Sequence, residues 1–175
     1  LASAHDTIPD NNHIGSLKLG RHGCAPYLTI EKWMSQGLKT IEHIAPQTNK
    51  ENLWDTSLYE PTTKIFQSIG NLTLLPQDLN SSAGNKGWRE KLLYYQTVAE
   101  KDPAKIQSLE DKASELGIQL NSNTVDLLKS SQFSKHLEAI SCIPYEIDWN
   151  RQIVEDRTEA MLDIIWERIA KWIFD

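Results

Sequence analysis

Two short apolar runs in this chain are each closed by a proline. "LKTIEHI" ends just before Pro46, and "NLTLL" ends at Pro76. Proline has no N–H to give to a sheet ladder, so neither run extends into a long central strand. The pair predicts one small hairpin, whose strands are separated by an excursion over residues 45–70. An excursion of that length is unusual for a structural turn and more common where a loop does work.

Most of the remaining chain carries helical spacing. Residues 1–26 are rich in His, Asn, Gly and Asp and read as loop. "YLTIEKWMSQG" predicts a short helix stopped by Gly37. "PTTKIFQSIGN" starts at Pro61, sets Ile65, Phe66 and Ile69 at helical spacing, and ends at Gly70. "NSSAGNKGWREKLLYYQTVAEK" opens with N-cap residues and puts Trp88, Leu92, Tyr95 and Ala99 on one face. "DPAKIQSLEDKASELG" has Asp102 as cap, Pro103 in the first turn and Gly117 as stop. "NSNTVDLLKSSQFSKHLEAIS" reads as one or two short helices. From Trp149 to Phe174, Val154, Met161, Ile165, Ile169 and Trp172 form an apolar stripe that reads as a packing face. Arg157, Glu159, Asp163 and Lys171 are expected elsewhere on its surface. The expected fold is therefore mostly α with a small β-hairpin.

Composition narrows the functional classes. The chain has 175 residues, enough for one domain or one domain with an extension. No run approaches the roughly 18 apolar residues of a membrane span. The start lacks the basic end and apolar core of a signal peptide, and it lacks an initiator Met, which predicts a larger upstream region. Two cysteines, Cys24 and Cys142, make a disulfide framework improbable and point to a reducing cytoplasm. His22 and Cys24 are spaced like metal ligands, but no second close pair completes a zinc site. The net charge of −6 argues against a stand-alone DNA binder, which needs a basic face. It permits a catalytic domain delivered to DNA by a partner.

The hairpin carries the chemistry-bearing residues. "TIEHIAPQ" places Glu42 and His43 side by side at a strand end. Phosphodiester hydrolysis needs a base to activate water and a divalent cation to bear charge on the phosphate. A strand, a loop, a second strand and a helix with polar residues at fixed places is what a ββα-metal nuclease site requires. His43 suits the base, because imidazole titrates near neutral pH. Glu42 is a hard oxygen ligand suited to Mg²⁺. Asn80 and Asn85 offer amide carbonyls near the start of the next helix. Asn71 is placed either to accept from the His43 ring, fixing its tautomer, or simply to form a turn after Gly70. Asn80 is also an N-cap candidate. Lys86, Arg89 and Lys91 form a basic cluster that is either a solvated helix face or a phosphate contact.

"IEHIAPQ", then "IGNLTLLPQDLN", then "NKGWREKLLYY" resembles the HNH, or His-Me finger, endonucleases. More closely it is similar to the C-terminal nuclease domain of GmrSD-type modification-dependent restriction proteins. The resemblance covers residues 40–95 well and 149–173 loosely, with Arg157 and Trp172 as markers of the closing helix. It implies His43 as general base, Asn71 as the residue that orients it, and Glu42 and Asn80 as ligands of Mg²⁺ or Mn²⁺. Asn85, Lys86, Arg89 and Lys91 are implied near metal or phosphate. It also implies an upstream nucleotide-hydrolysing sensor domain or subunit; no glycine loop of that kind is visible here.

These readings set the expectations. Residues 1–38 are a lead-in, 39–101 the nuclease core and 102–175 a helical part packed on it. The chain is expected to be a metal-dependent DNA endonuclease in prokaryotic defence, with the side chains of Glu42, His43, Asn71 and Asn80 converging on one cleft. The rivals are an inactive HNH-like binding module and an RNA-directed nuclease.

Overall fold

The computed structural model describes residues 5–22, 30–34 and 40–174. The expected loop at the N-terminus contains a hairpin instead. Strand β1 (His5–Pro9) pairs antiparallel with β2 (Leu17–His22). The Asp10 amide donates to the Ser16 carbonyl, and Gly15 takes φ +72°, a left-handed turn position that suits glycine. Turn-forming residues hid the strands because they sit between and among them. A four-residue helix α1 (Ile30–Trp33) follows, and its expected stop at Gly37 lies outside the described residues.

The central hairpin forms as the proline-bounded runs predict. Strand β3 (Thr40–His43) pairs antiparallel with β4 (Leu72–Leu75), with Thr40 opposite Leu75, Ile41 opposite Leu74, Glu42 opposite Thr73 and His43 opposite Leu72. Cross-strand partners share a face. Glu42, Thr73 and Leu75 are buried, whereas Ile41 and Leu74 are exposed. The sheet thus has one face on the core and one open.

The excursion holds no regular α-helix. It is built of 3₁₀ turns at Lys50–Asn52, Thr56–Tyr59, Ile65–Gln67 and Ile69–Asn71. Lys64, at φ +46°, breaks any helix running from Pro61 to Gly70. Tyr59 stacks on Phe66 at 5.2 Å.

The single helix expected after β4 is two. Helix α2 (Gln77–Ala83) ends at Gly84, which has φ +40°, and α3 (Trp88–Val98) begins after Gly87. Asn80 therefore lies inside α2 and is not a cap. Residues 103–115 also form two helices, α4 (Pro103–Gln107) and α5 (Leu109–Glu115), with Asp102 accepting from the Ala104 amide as its cap position predicts. Then come α6 (Ser122–Lys129), α7 (Glu138–Ser141) and the long α8 (Arg151–Phe174). Among the described residues, no helix is long and apolar enough to cross a membrane.

Helix α3 is the axis of the core. Leu92, Leu93 and Tyr95 are fully enclosed with Ile44, Leu58, Leu79, Trp149 and Val154. Trp88 sits between Trp54 and Trp149, with ring centroids 6.2 and 5.2 Å away. Helix α8 passes so near the turn before β4 that a Cβ on Gly70 would lie 2.2 Å from the Val154 carbonyl oxygen. The Gly70 amide donates to Thr158 Oγ1 at 3.1 Å. Arg157, expected on the surface, is 1% exposed and donates to the Gly15 carbonyl at 3.0 Å. Long helices present polar side chains inward where a backbone acceptor needs a donor. Among the described residues, the apolar side chains that α8 buries are Ile153, Val154, Met161 and Ile164, while Ile169 of the expected stripe is exposed and the Trp172 side chain lies outside the described part.

Candidate active site

His43 is the last residue of β3, where the chain leaves the sheet. Its ring is half-buried, and its Nε2 lies 3.4 Å from Nε2 of Gln47 on the exposed turn beyond Pro46. Burial pushes the imidazole below its ordinary value, and the positive charge of Lys91 adds to that. Both causes disfavour the imidazolium. They favour the neutral ring, the form that can take up a proton, and the Gln47 amide nitrogen, a donor, lies against its Nε2.

Asn71 is completely buried, and its amide is fully engaged with the turn that follows His43. Its Oδ1 accepts from the Ala45 amide and from Trp149 Nε1, each at 2.9 Å. Its Nδ2 donates to the carbonyls of Ala45 at 2.8 Å and Phe66 at 2.7 Å. Its backbone carbonyl accepts from the Ile44 amide at 2.9 Å. The expected bond from Asn71 to the His43 ring is thus corrected. Asn71 holds the main chain at Ile44 and Ala45, and its side-chain amide is shared between Ala45, Phe66 and Trp149 with no capacity left for the ring.

Glu42 points the other way from His43, as adjacent strand residues must. Its Oε1 accepts from Lys91 Nζ at 2.5 Å and from Tyr95 Oη at 3.2 Å. Lys91 also donates to the His43 carbonyl at 2.9 Å, and its ammonium lies 5.8 Å from the Trp54 ring centroid. The side chains are 0% exposed for Lys91 and 4% for Glu42. Burial raises the Glu42 carboxyl and the Tyr95 phenol and lowers the Lys91 ammonium; the contact between Glu42 and Lys91 opposes the shifts in both. The contact offsets part of what burial costs each charge.

Asn80 reaches the other end of the strand. Its Nδ2 donates to Thr40 Oγ1 at 2.8 Å and to the Ile41 carbonyl at 3.1 Å. Thr40 is two strand residues before Glu42, roughly 6–7 Å at the usual rise. Glu42, His43, Asn71 and Asn80 therefore do not converge on one cleft. Of the donors expected for Mg²⁺ or Mn²⁺, Glu42 Oε1 is already occupied. Mg²⁺ needs open oxygens around it and gives up water reluctantly. Glu42 Oε1 is buried against an ammonium, whereas the bonds that hold Asn80 to β3 run through Nδ2 and not through the oxygen a metal would take. Among the described residues, no group of three His, Cys, Asp or Glu is placed to hold a metal. Glu42 Oε1 is held by Lys91 and Tyr95, and Asn80 is held through Nδ2; no step here is routed through a metal.

The basic cluster divides. Lys91 is buried and does not meet phosphate. Asn85, Lys86 and Arg89 are exposed along the α2–α3 link and the first turn of α3. Lys86 pairs with Glu90 at 3.0 Å. Trp149 and Tyr95 are the residues that sequence reasoning missed. Each reads locally as a core aromatic, and only the tertiary fold brings its polar tip to Asn71 or Glu42.

A two-stranded hairpin with one face on the core, a helix packed across it and a half-buried histidine at the strand end make up the site. A protein-family model, the C-terminal domain of GmrSD restriction endonucleases, matches residues 21–164, and the chain belongs to that family. It is a restriction endonuclease domain by that membership. No curated protein matches the chain.

Proposed function

We propose that this domain hydrolyses phosphodiester bonds of DNA, with His43 as the general base that activates water. The observation that carries the reading is a neutral, half-open imidazole on a strand end clamped from two sides, by Asn71 at Ala45 and by Lys91 at the His43 carbonyl. Such rigidity holds the nitrogen where a water between it and phosphorus can be aligned. Asn85, Lys86 and Arg89 supply polar and cationic contacts for the DNA backbone. The net charge of −6 suits a domain brought to DNA by a partner, here a nucleotide-hydrolysing sensor. The setting that family membership supports is prokaryotic defence, in the cytoplasm, against foreign or modified DNA.

The test is plasmid cleavage by the wild-type chain and by His43→Ala, scanned over divalent ions. Loss of the base is expected to lower the rate on the order of 10²–10⁴-fold. The thermal melt should remain close to wild type, since the ring is half-open. Equal cleavage by a folded His43→Ala protein would remove the assignment.

A further inference from the structure

We propose that the Lys91 ammonium is the resident cation of this site: it occupies the carboxylate of Glu42 in place of a divalent ion and fixes the main chain at His43. Glu42 Oε1 accepts from Lys91 Nζ at 2.5 Å and from Tyr95 Oη at 3.2 Å, so both of its lone pairs are taken. A Mg²⁺ ion on that oxygen would sit at about 2.0–2.1 Å, inside the same space, with like charges in contact. With Lys91 fully enclosed and only 4% of Glu42 exposed, the ammonium covers the side of the carboxylate that an ion would take, and only its removal opens that side. The remaining bonds of the group show what the ammonium does there. It donates to the carbonyl of His43 at 2.9 Å, and it lies beside the face-bearing ring of Trp54 at 5.8 Å. Helix α3 thus delivers a fixed positive charge to the residue before the base and to the base's own peptide. Lys91 is a positioning residue; it touches neither DNA nor water in the reaction. The part of this inference that concerns His43 rests on the nuclease reading, while the exclusion of a divalent ion from Glu42 does not.

Mn²⁺ binding, followed by electron paramagnetic resonance on the whole chain, separates the two. Glu42→Gln keeps an acceptor for Lys91 and should leave Mn²⁺ affinity within twofold of wild type. Lys91→Met frees the carboxylate and should tighten Mn²⁺ binding at least tenfold, a gain that Glu42→Gln in the same chain removes. A fivefold or greater loss of Mn²⁺ affinity in Glu42→Gln alone would overturn the proposal, whether or not Lys91→Met folds. A folded Lys91→Met protein with no gain would overturn it as well. In cleavage assays, Lys91→Met should lower kcat at least tenfold and leave KM for DNA within twofold, because a buried residue makes no DNA contact. An increase in KM with kcat unchanged would remove the positioning role. Failure of the wild-type chain to cleave DNA would remove the nuclease reading and leave the Mn²⁺ result standing.

Discussion

The indole of Trp149 donates to the same Asn71 oxygen that receives the Ala45 amide. One side chain therefore joins the turn after the candidate base to the segment that leads into α8. The main chain around His43 is set by residues far apart in sequence, and each of them is enclosed.

Removing the Asn71 amide should be a stability event before it is a catalytic one. Asn71→Ala strands the Ala45 amide and carbonyl, the Phe66 carbonyl and the Trp149 N–H. Each orphaned group costs about 1–3 kcal/mol, so a loss of at least about 4 kcal/mol is expected in urea unfolding. Trp149→Phe removes one donor and should cost less. Unchanged stability with abolished cleavage would instead return Asn71 to the imidazole.

The Glu42–Lys91 pair should behave as a unit. Lys91→Ala leaves a buried carboxylate and should cost about 3–5 kcal/mol, whereas replacing both partners with apolar residues of similar size should cost far less. A double-mutant cycle by chemical denaturation checks this. Additive losses would mean that the pair is not coupled.

Two histidines set the acid side of stability. Burial holds His43 and His136 below their ordinary 6.5. The folded chain then refuses protons that the unfolded chain accepts, so the stabilisation is present above about pH 6.5 and is lost as pH falls through the lowered values. The difference in urea midpoint between wild type and His43→Gln/His136→Gln should therefore change between pH 7.5 and pH 5.5. The acid limb of cleavage should also have its midpoint below 6.5, where an unperturbed imidazole would put it.

Lys86 and Arg89 should contribute through charge alone. Lys86→Ala and Arg89→Ala are each expected to weaken DNA binding without sequence preference and to reduce the slope of log affinity against log salt by about 1. Fluorescence anisotropy over a salt series reads this. An unchanged slope would mark a solvated helix face.

The hairpin and the C-terminal helix were legible because their signals are local. Pro46 and Pro76 bound the strands, and a cap or stop residue marks several helices. The division of the helix after β4 was hidden because Asn80 looks like a cap in sequence and only the φ of Gly84 shows where the chain turns. The place of His43 at a strand end was legible, because Pro46 marks where the strand stops. The partners of Glu42 were not, because Lys91 and Tyr95 lie one and two turns into α3 and read there as surface and core. Periodicity reports which face of a helix is inward; it does not report which charge is waiting on the other side.

The bond between Trp149 and Asn71 also has a consequence in time. A ribosome releases the chain from its N-terminus, so His43 emerges long before Trp149 does. Until that indole arrives, the turn at Ala45 lacks a partner that completes Asn71, and the long-range contact cannot form. A nascent chain carries the histidine without its full clamp. Cleaving power is thus acquired late in synthesis, once the strand, the turn and the final helix are all present to close on one another.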